Sequence, residues 1–268
     1  MKSGTPWKKS SGATRSRCSS EVSTPIRGVL LDAGNTLVFV DSRRVVPVLV
    51  EAGADAAEEL YDDAEQDARL GLSLARGQGV TGHEDQFWRD YLATIVRRVG
   101  VPEARTVQVS ETLRRMHHED HLWTHVQEGA AAALVLLREM QYGLGVVSNA
   151  DGRVEALLQR LGLAELVDFV IDSHVVGVSK PDPGIFQMGA ERLGLEPEEC
   201  LYVGDLYAID ILGARAAGLQ PLLLDPFGRL AHWDDVERIA SVAELPEWLA
   251  VRVSRSHAGR GDGTPGAG

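Results

Sequence analysis

The sequence predicts an α/β protein, a doubly wound parallel Rossmann-like sheet that carries an inserted all-helical cap. Three observations predict it. Short, continuously apolar runs alternate with helical patterns, and glycines stand just past several of the predicted helices. More than a hundred residues separate the first apolar run from the second, and helical patterns fill most of that gap.

The runs are Gly28–Leu31, Leu144–Val147, Phe169–Ile171, Leu201–Val203 and Leu222–Leu224. Unbroken apolar runs this short suit parallel strands covered by helices on both faces, where neither side of the strand meets water. Helical segments follow at Gly152–Leu161, Pro183–Leu193 and Ala208–Ala217, with Gly162, Gly194 and Gly218 just beyond them. A left-handed C-cap favours glycine at that place. Repeated strand–helix alternation gives the doubly wound sheet. Residues 42–125 hold helical stretches such as Ala54–Ala75 and Glu84–Val99 and no convincing strand. The expected layout is therefore a core of residues 26–41 and 126–250, with a helical cap at 42–125. Residues 1–25, rich in Ser, Thr, Gly and basic residues, read as a disordered tail, as do the Gly-rich residues 251–268. The first tail has the basic, acid-poor look of a transit peptide but lacks the apolar centre of a secretory signal.

Composition narrows the function. Of 268 residues, 27 are basic and 39 acidic, and six of the basic ones lie in residues 1–27 beside a single acid. The acidic body is a poor nucleic-acid binder, because phosphate contacts need clustered Lys and Arg. No run approaches the roughly 18 apolar residues of a spanning helix, so no membrane partner is expected. Two cysteines, Cys18 and Cys200, make neither a disulfide framework nor a zinc cluster. The expected location is cytoplasmic. Oligomeric state is not encoded in any feature of the sequence.

In an open parallel sheet, ligands bind at the carboxyl ends of the strands. Asp32 follows the first run, Ser148 the second, Lys180 lies in the loop after the third, and Asp205 follows Leu201-Tyr-Val-Gly204 with Asp210 five residues on. Clustered carboxylates repel one another, which an oxygen-preferring Mg²⁺ relieves. A metal held by Asp32 and Asp205 would neutralise and orient a phosphate. An Asp carboxylate then serves as nucleophile, giving an aspartyl-phosphate, while Lys180 and Ser148 face the phosphoryl oxygens. Lys180 stands out because the other three lysines, Lys2, Lys8 and Lys9, all lie in the tail. Every other cation of the body is Arg, and lysine acts at phosphate sites as a compact point charge.

The segments Leu31-Asp-Ala-Gly-Asn-Thr-Leu37, Val147-Ser-Asn149, Ser179-Lys-Pro-Asp182 and Val203-Gly-Asp205 with Asp210 resemble the four motifs of the haloacid dehalogenase superfamily. They stand in the family's order across the core, and the helical insertion matches its cap. The resemblance implies Asp32 as nucleophile and Mg²⁺ ligand, and Thr36 and Ser148 as phosphate hydrogen-bonders. It implies Lys180 as charge neutraliser, Asp205 as metal ligand with Asp210 in support, and Asn149 beside the substrate.

One position departs from the family's pattern. Its phosphatases usually carry a second Asp two residues after the nucleophile, which protonates the leaving alkoxide; here that residue is Gly34, followed by Asn35. A glycine has no proton to give, although its carbonyl remains available to the metal. General acid–base catalysis is worth roughly 10²–10⁴ in rate, felt most with poor leaving groups. Three readings stay open. The first is a Mg²⁺-dependent phosphatase for a small phosphorylated metabolite, its missing acid supplied by Asp41, by one of His83, His117, His118 and His121, or by water. The second is a weakened protein that binds a phosphorylated ligand or partner. The third is a 2-haloacid dehalogenase, whose halide leaves unprotonated. Arg76, in the stretch Arg76-Gly-Gln-Gly79, is a candidate contact for an anionic substrate. Phe87, Trp88 and Tyr91 fall at i, i+1 and i+4 and read as cap core, and Trp123 and His125 as hinge residues.

Overall fold

The computed structural model describes residues 24–76 and 84–258. Strand β1 (Gly28–Leu31) leads into a short strand β2 (Val38–Val40). Four helices follow: α1 (Ser42–Glu51), α2 (Ala57–Arg76), α3 (Glu84–Arg98) and α4 (Glu103–Glu119). Strand β3 (Trp123–Val126) returns to the core, which continues through α5 (Ala130–Glu139), β4 (Gly143–Ser148), α6 (Val154–Arg160), β5 (Phe169–Asp172), α7 (Ser173–Val176) and α8 (Pro183–Leu193). It then runs through β6 (Cys200–Gly204), a π-helical turn (Tyr207–Ile211), α9 (Leu212–Ala216), β7 (Gln220–Leu224), β8 (Arg238–Ile239) and α10 (Leu245–Ala258).

The six-stranded sheet has the order β5-β4-β1-β6-β7-β8, and every neighbouring pair is parallel. Side chains of β1 alternate between its two faces. Val29 and Leu31 join a core that takes in Leu134 and Leu137 of α5 and Leu157 of α6, and it runs on into Leu49, Tyr61, Ile95 and Leu113 of the helical segment. Leu30 faces the other way, against Ile185 and Phe186 of α8 and Ala214 of α9. Two covered faces explain why β1, β4 and β6 read as unbroken apolar runs. All five predicted strands are present. Gly162, Gly194 and Gly218 adopt the left-handed conformation, with φ of 71°, 67° and 88°.

Three expectations change. The 42–125 segment is not purely helical, because β3 begins at Trp123 and pairs antiparallel with β2 across Phe39 and His125. Each of these strands is three or four residues long, too brief to stand out from the flanking sequence. The chain is also ordered beyond residue 250, since α10 continues to Ala258. Leu245 and Leu249, one helical turn apart, anchor that helix in the core. Third, the stretch read as one helix at Ala208–Ala217 is a π-turn followed by a short α-helix. Residues 1–23 of the N-terminal tail and 259–268 of the C-terminal one lie outside the described residues, as does His83.

Candidate active site

Strands β1, β4 and β6 lie side by side at the centre of the sheet and deliver their next residues to one edge. Asp32 follows β1, Ser148 ends β4, and Asp205 follows β6. These three line one cavity of about 220 Å³ together with Gly34, Asn149 and Lys180. Asp32, Ser148, Lys180 and Asp205 are all buried, with exposures of 8%, 4%, 3% and 4%.

Lys180 is the hub. Its Nζ lies 2.9 Å from Asp32 Oδ1 and donates to Asp210 Oδ1 at 2.7 Å and to the Tyr202 hydroxyl at 2.9 Å. Burial works against the ammonium, but Asp210 and Asp32 outweigh it and hold its pKa above the ordinary lysine value. Three acceptors match the three N–H bonds of an ammonium, so the lysine is fixed as well as charged. Its loop is pinned by Asn149, whose Nδ2 donates to the Lys180 carbonyl at 2.9 Å while its Oδ1 accepts from the Lys180 amide at 2.8 Å. Asn149 lines the cavity, as expected of a substrate neighbour, yet both ends of its amide are already engaged in placing Lys180.

The carboxylates have different neighbours. Asp32 Oδ1 accepts from the Ala33 amide at 2.8 Å. Asp210, fully buried in the π-turn, uses Oδ1 for Lys180 and Oδ2 for the Leu206 amide at 2.9 Å. Gly204 makes that arrangement possible, since a Cβ there would sit 2.5 Å from Asp210 Cγ. Asp205 is the exception. Its Oδ2 is buried with no hydrogen-bond partner, and the guanidinium of Arg69 approaches only to 3.6 Å. Burial pushes the Asp205 carboxyl well above the usual carboxylate range; Arg69 opposes the rise, and the charges of Asp210 and Asp32 add to it. Asp32, Asp205 and Asp210 each bring an oxygen within 4.8 Å of the others. An unsatisfied buried oxygen in an all-oxygen cluster is what a hard divalent cation binds, so these residues fit a Mg²⁺ ion.

Gly34 lies in the cavity wall, and Asn35 beside it takes φ 52°. The Asn35 side-chain oxygen accepts from Trp123 Nε1 at 3.0 Å, tying the loop after β1 to β3. Thr36 is fully buried, its hydroxyl without a partner, and it does not line the cavity. Arg76 closes α2, and its side chain lies outside the described residues. Tyr91 is 1% exposed, as expected of the insertion's core, whereas the side chains of Phe87 and Trp88 lie outside the described residues.

Asp41 is engaged elsewhere. It caps α1 and pairs with Arg43, which holds its carboxyl below the usual range. His117 and His121 do line the cavity, with Asp151 from the loop after β4, while His118 does not. Of the two histidines of α4, His117 is buried and His118 is exposed.

Two contributors escape the sequence reading. Tyr202, which also donates to the Val147 carbonyl at 3.0 Å, looks like any aromatic in an apolar strand. Arg69 reaches Asp205 from the helical insertion and is itself held by Glu65 at 2.8 Å. The i,i+4 spacing of Glu65 and Arg69 is visible in the sequence, but their destination is not.

Comparison with known proteins agrees with the geometry. The family model for haloacid dehalogenase-like hydrolases matches residues 26–218. A haloacid dehalogenase-like hydrolase domain-containing protein 3 of Mus musculus is 39% identical over 52% of this chain, which spans 55% of that protein's length. A glyceraldehyde 3-phosphate phosphatase of Methanopyrus kandleri is 32% identical over 79% of this chain and 88% of its own. Among solved structures, a magnesium-bound HAD-hydrolase of Bacillus subtilis superposes over 84% of this chain and 99% of its own, with a TM-score of 0.62 and 21% identity. That likeness is one of fold. With strand ends, carboxylates and buried lysine converging as the motifs require, and with the family model spanning most of the chain, the protein belongs to the haloacid dehalogenase-like hydrolases.

Proposed function

We propose that the protein is a Mg²⁺-dependent phosphatase that hydrolyses a small phosphorylated metabolite through an aspartyl-phosphate on Asp32. The observation that carries this reading is the pairing of the fixed Lys180 ammonium with the unsatisfied Asp205 oxygen in one buried cavity beside Asp32. Such a site is built for an anion carried with a cation. Asp32, Asp205 and the Gly34 carbonyl would hold the Mg²⁺, with Asp210 supporting them through Lys180 and the Leu206 amide. When bound, the ion neutralises and orients the transferring phosphoryl group.

The chain's own residues do the rest. The Asp32 carboxylate attacks phosphorus, the bond to the leaving oxygen breaks, and water later releases phosphate from the acyl phosphate. Lys180 offsets the charge of Asp32 before attack and of the phosphoryl oxygens during it. Ser148, at the end of β4, donates to those oxygens. The helices between β2 and β3 serve as the cap, and Arg69 and His117 are among their contributions to the site. The phosphatase named among the relatives supports the phosphate chemistry. A dehalogenase is disfavoured by the intact Asp205 pocket, which halide displacement does not need. A free buried Cys200 suits a cytoplasmic setting. Among the described residues no helix is long and apolar enough to cross a membrane.

The test is hydrolysis of p-nitrophenyl phosphate by the purified chain, with Mg²⁺ or with chelator, beside Asp32→Asn. Turnover that requires both Mg²⁺ and Asp32 is expected. A rate equal to that of Asp32→Asn would leave the binding reading in its place.

A further inference from the structure

Gly34 leaves the site without its usual proton donor, and the same cavity holds a group that fills the gap. His121 stands just beyond the end of α4, where Asp120 takes an extended conformation and turns the chain inward. Its ring meets His117 edge-on, with centroids 4.4 Å apart. Both nitrogens of His121 are buried and neither has a hydrogen-bond partner. Asp151 faces the ring, its Oδ1 3.6 Å from His121 Nε2. Arg153 holds Asp151 in place and also donates to the carbonyls of His117 and His118. Behind the ring, Arg44 donates to the His121 carbonyl at 2.6 Å and pairs with Asp120.

Two histidines and a carboxylate are also a donor set for a transition metal. The hydrogen bonding argues against that use. The Leu122 amide donates to His117 Nδ1 at 3.3 Å, so the proton of the neutral imidazole sits on Nε2, the nitrogen turned toward Asp151. Burial keeps His117 neutral, its pKa pulled down to about 3. With one nitrogen accepting and the other protonated, His117 has no lone pair left for a metal. Its Nε2 faces Asp151 across 3.9 Å, and His121 is the ring free to exchange a proton.

Resting on the phosphatase reading above, we propose that His121, oriented by Asp151, is the general acid and base that replaces the missing aspartate at position 34. In the first step Asp32 forms its bond to phosphorus, the bond from phosphorus to the ester oxygen breaks, and the protonated His121 gives its proton to that oxygen, releasing an alcohol. In the second step neutral His121 takes a proton from water as the water oxygen bonds to phosphorus and the bond from phosphorus to the Asp32 carboxylate oxygen breaks. Phosphate leaves, and His121 is again protonated. The 3.6 Å separation from Asp151 is longer than a hydrogen bond, as is common for catalytic pairs before substrate binds. The substrate class follows: esters of poor leaving alcohols, which need a proton donor, rather than acyl or aryl phosphates only.

Leaving-group dependence tests this. The full chain with Mg²⁺ is assayed on p-nitrophenyl phosphate and on a simple alkyl phosphate, as wild type, His121→Gln, Gly34→Asp and the double variant. In kcat/KM, which reports the steps through release of the alcohol, His121→Gln is expected to lose about 10²–10³ on the alkyl ester and far less on the aryl ester, while kcat falls on both with the second step. A side chain at 34 has room, since its Cβ would meet Trp123 Nε1 at 3.5 Å. Gly34→Asp should therefore restore alkyl turnover in the His121→Gln background. Equal losses of kcat/KM on both esters, wild-type turnover of the aryl ester alone, or a gain on the order of 10² from Gly34→Asp alone would overturn the assignment to His121. The last comparison does not depend on His121→Gln folding. Absence of Asp32-dependent turnover of either ester by the wild type would overturn the phosphatase reading itself, and this proposal with it.

Discussion

Asp205 is the residue whose environment makes least sense without a cation. Its Oδ2 is buried and unpartnered, and its charge is penalised by burial and repelled by Asp210 and Asp32, which Arg69 and Lys180 offset only in part. An uncompensated buried charge costs stability that a neutral isostere avoids. Asp205→Asn is therefore expected to stabilise the metal-free protein, and a gain of about 1 kcal/mol would lift Tm by about 2–4 °C for a chain this size. The same substitution should abolish stabilisation by Mg²⁺, which for the wild type would reach about 2.7 kcal/mol at a hundredfold excess over Kd. Thermal melts of both proteins with and without Mg²⁺ check the two halves together. A wild type indifferent to Mg²⁺ would remove the metal from the account. At this level much of the site could be read from the sequence, because strand ends in a parallel sheet converge and Asp32, Ser148, Lys180 and Asp205 each sit at or beyond one. Tyr202 and Arg69 could not be read that way. The first is disguised by an apolar strand, and the second acts across space from a separate segment.

Among the elements, α4 carries the clearest pH signature. His117 sits in its last turn, 7% exposed, with its pKa pulled from 6.5 to about 3 by burial, against the attraction of Asp151. In the unfolded chain the imidazole binds a proton near its ordinary value, whereas in the folded chain it does not until pH 3 is approached. The unfolded state thus takes up more protons in that interval, and stability contributed by the neutral ring is lost as pH falls through it. Tm should decline from pH 6.5 toward about 4, and His117→Gln should flatten part of that decline. A variant with an unchanged slope would mean that the ring is not held neutral. Sequence periodicity revealed the helices here but not what their ends do. Helix α4 stops at Glu119, between His117 and His121, and the second ring approaches by a turn. The β2–β3 ribbon was missed because three- and four-residue strands carry little pattern. Helix α10 was cut short because a Gly-rich stretch follows it.

The architecture as a whole assigns division of labour. The sheet fixes the reacting groups through β1, β4 and β6, and the segment between β2 and β3 brings His117, His121 and Arg69 to the same place. Asn35 and Trp123 join the two parts by a hydrogen bond directly beside Gly34. On the proposed function, phosphate chemistry would reside in the core, and the choice of leaving group in the residues that the insertion supplies. The fold class was readable from alternating patterns because both faces of the sheet are covered; the substrate was not, since the cavity beyond the phosphate position is assembled from distant segments.

The most direct measurement is capture of the covalent intermediate. The protein is mixed with Mg²⁺ and p-nitrophenyl phosphate, quenched in acid within the first turnovers, and its peptides weighed. One phosphoryl group on the peptide that contains Asp32, absent without Mg²⁺ and absent in Asp32→Asn, is the predicted result. Turnover with no phosphoryl group on that peptide, or turnover surviving in Asp32→Asn, would contradict the account.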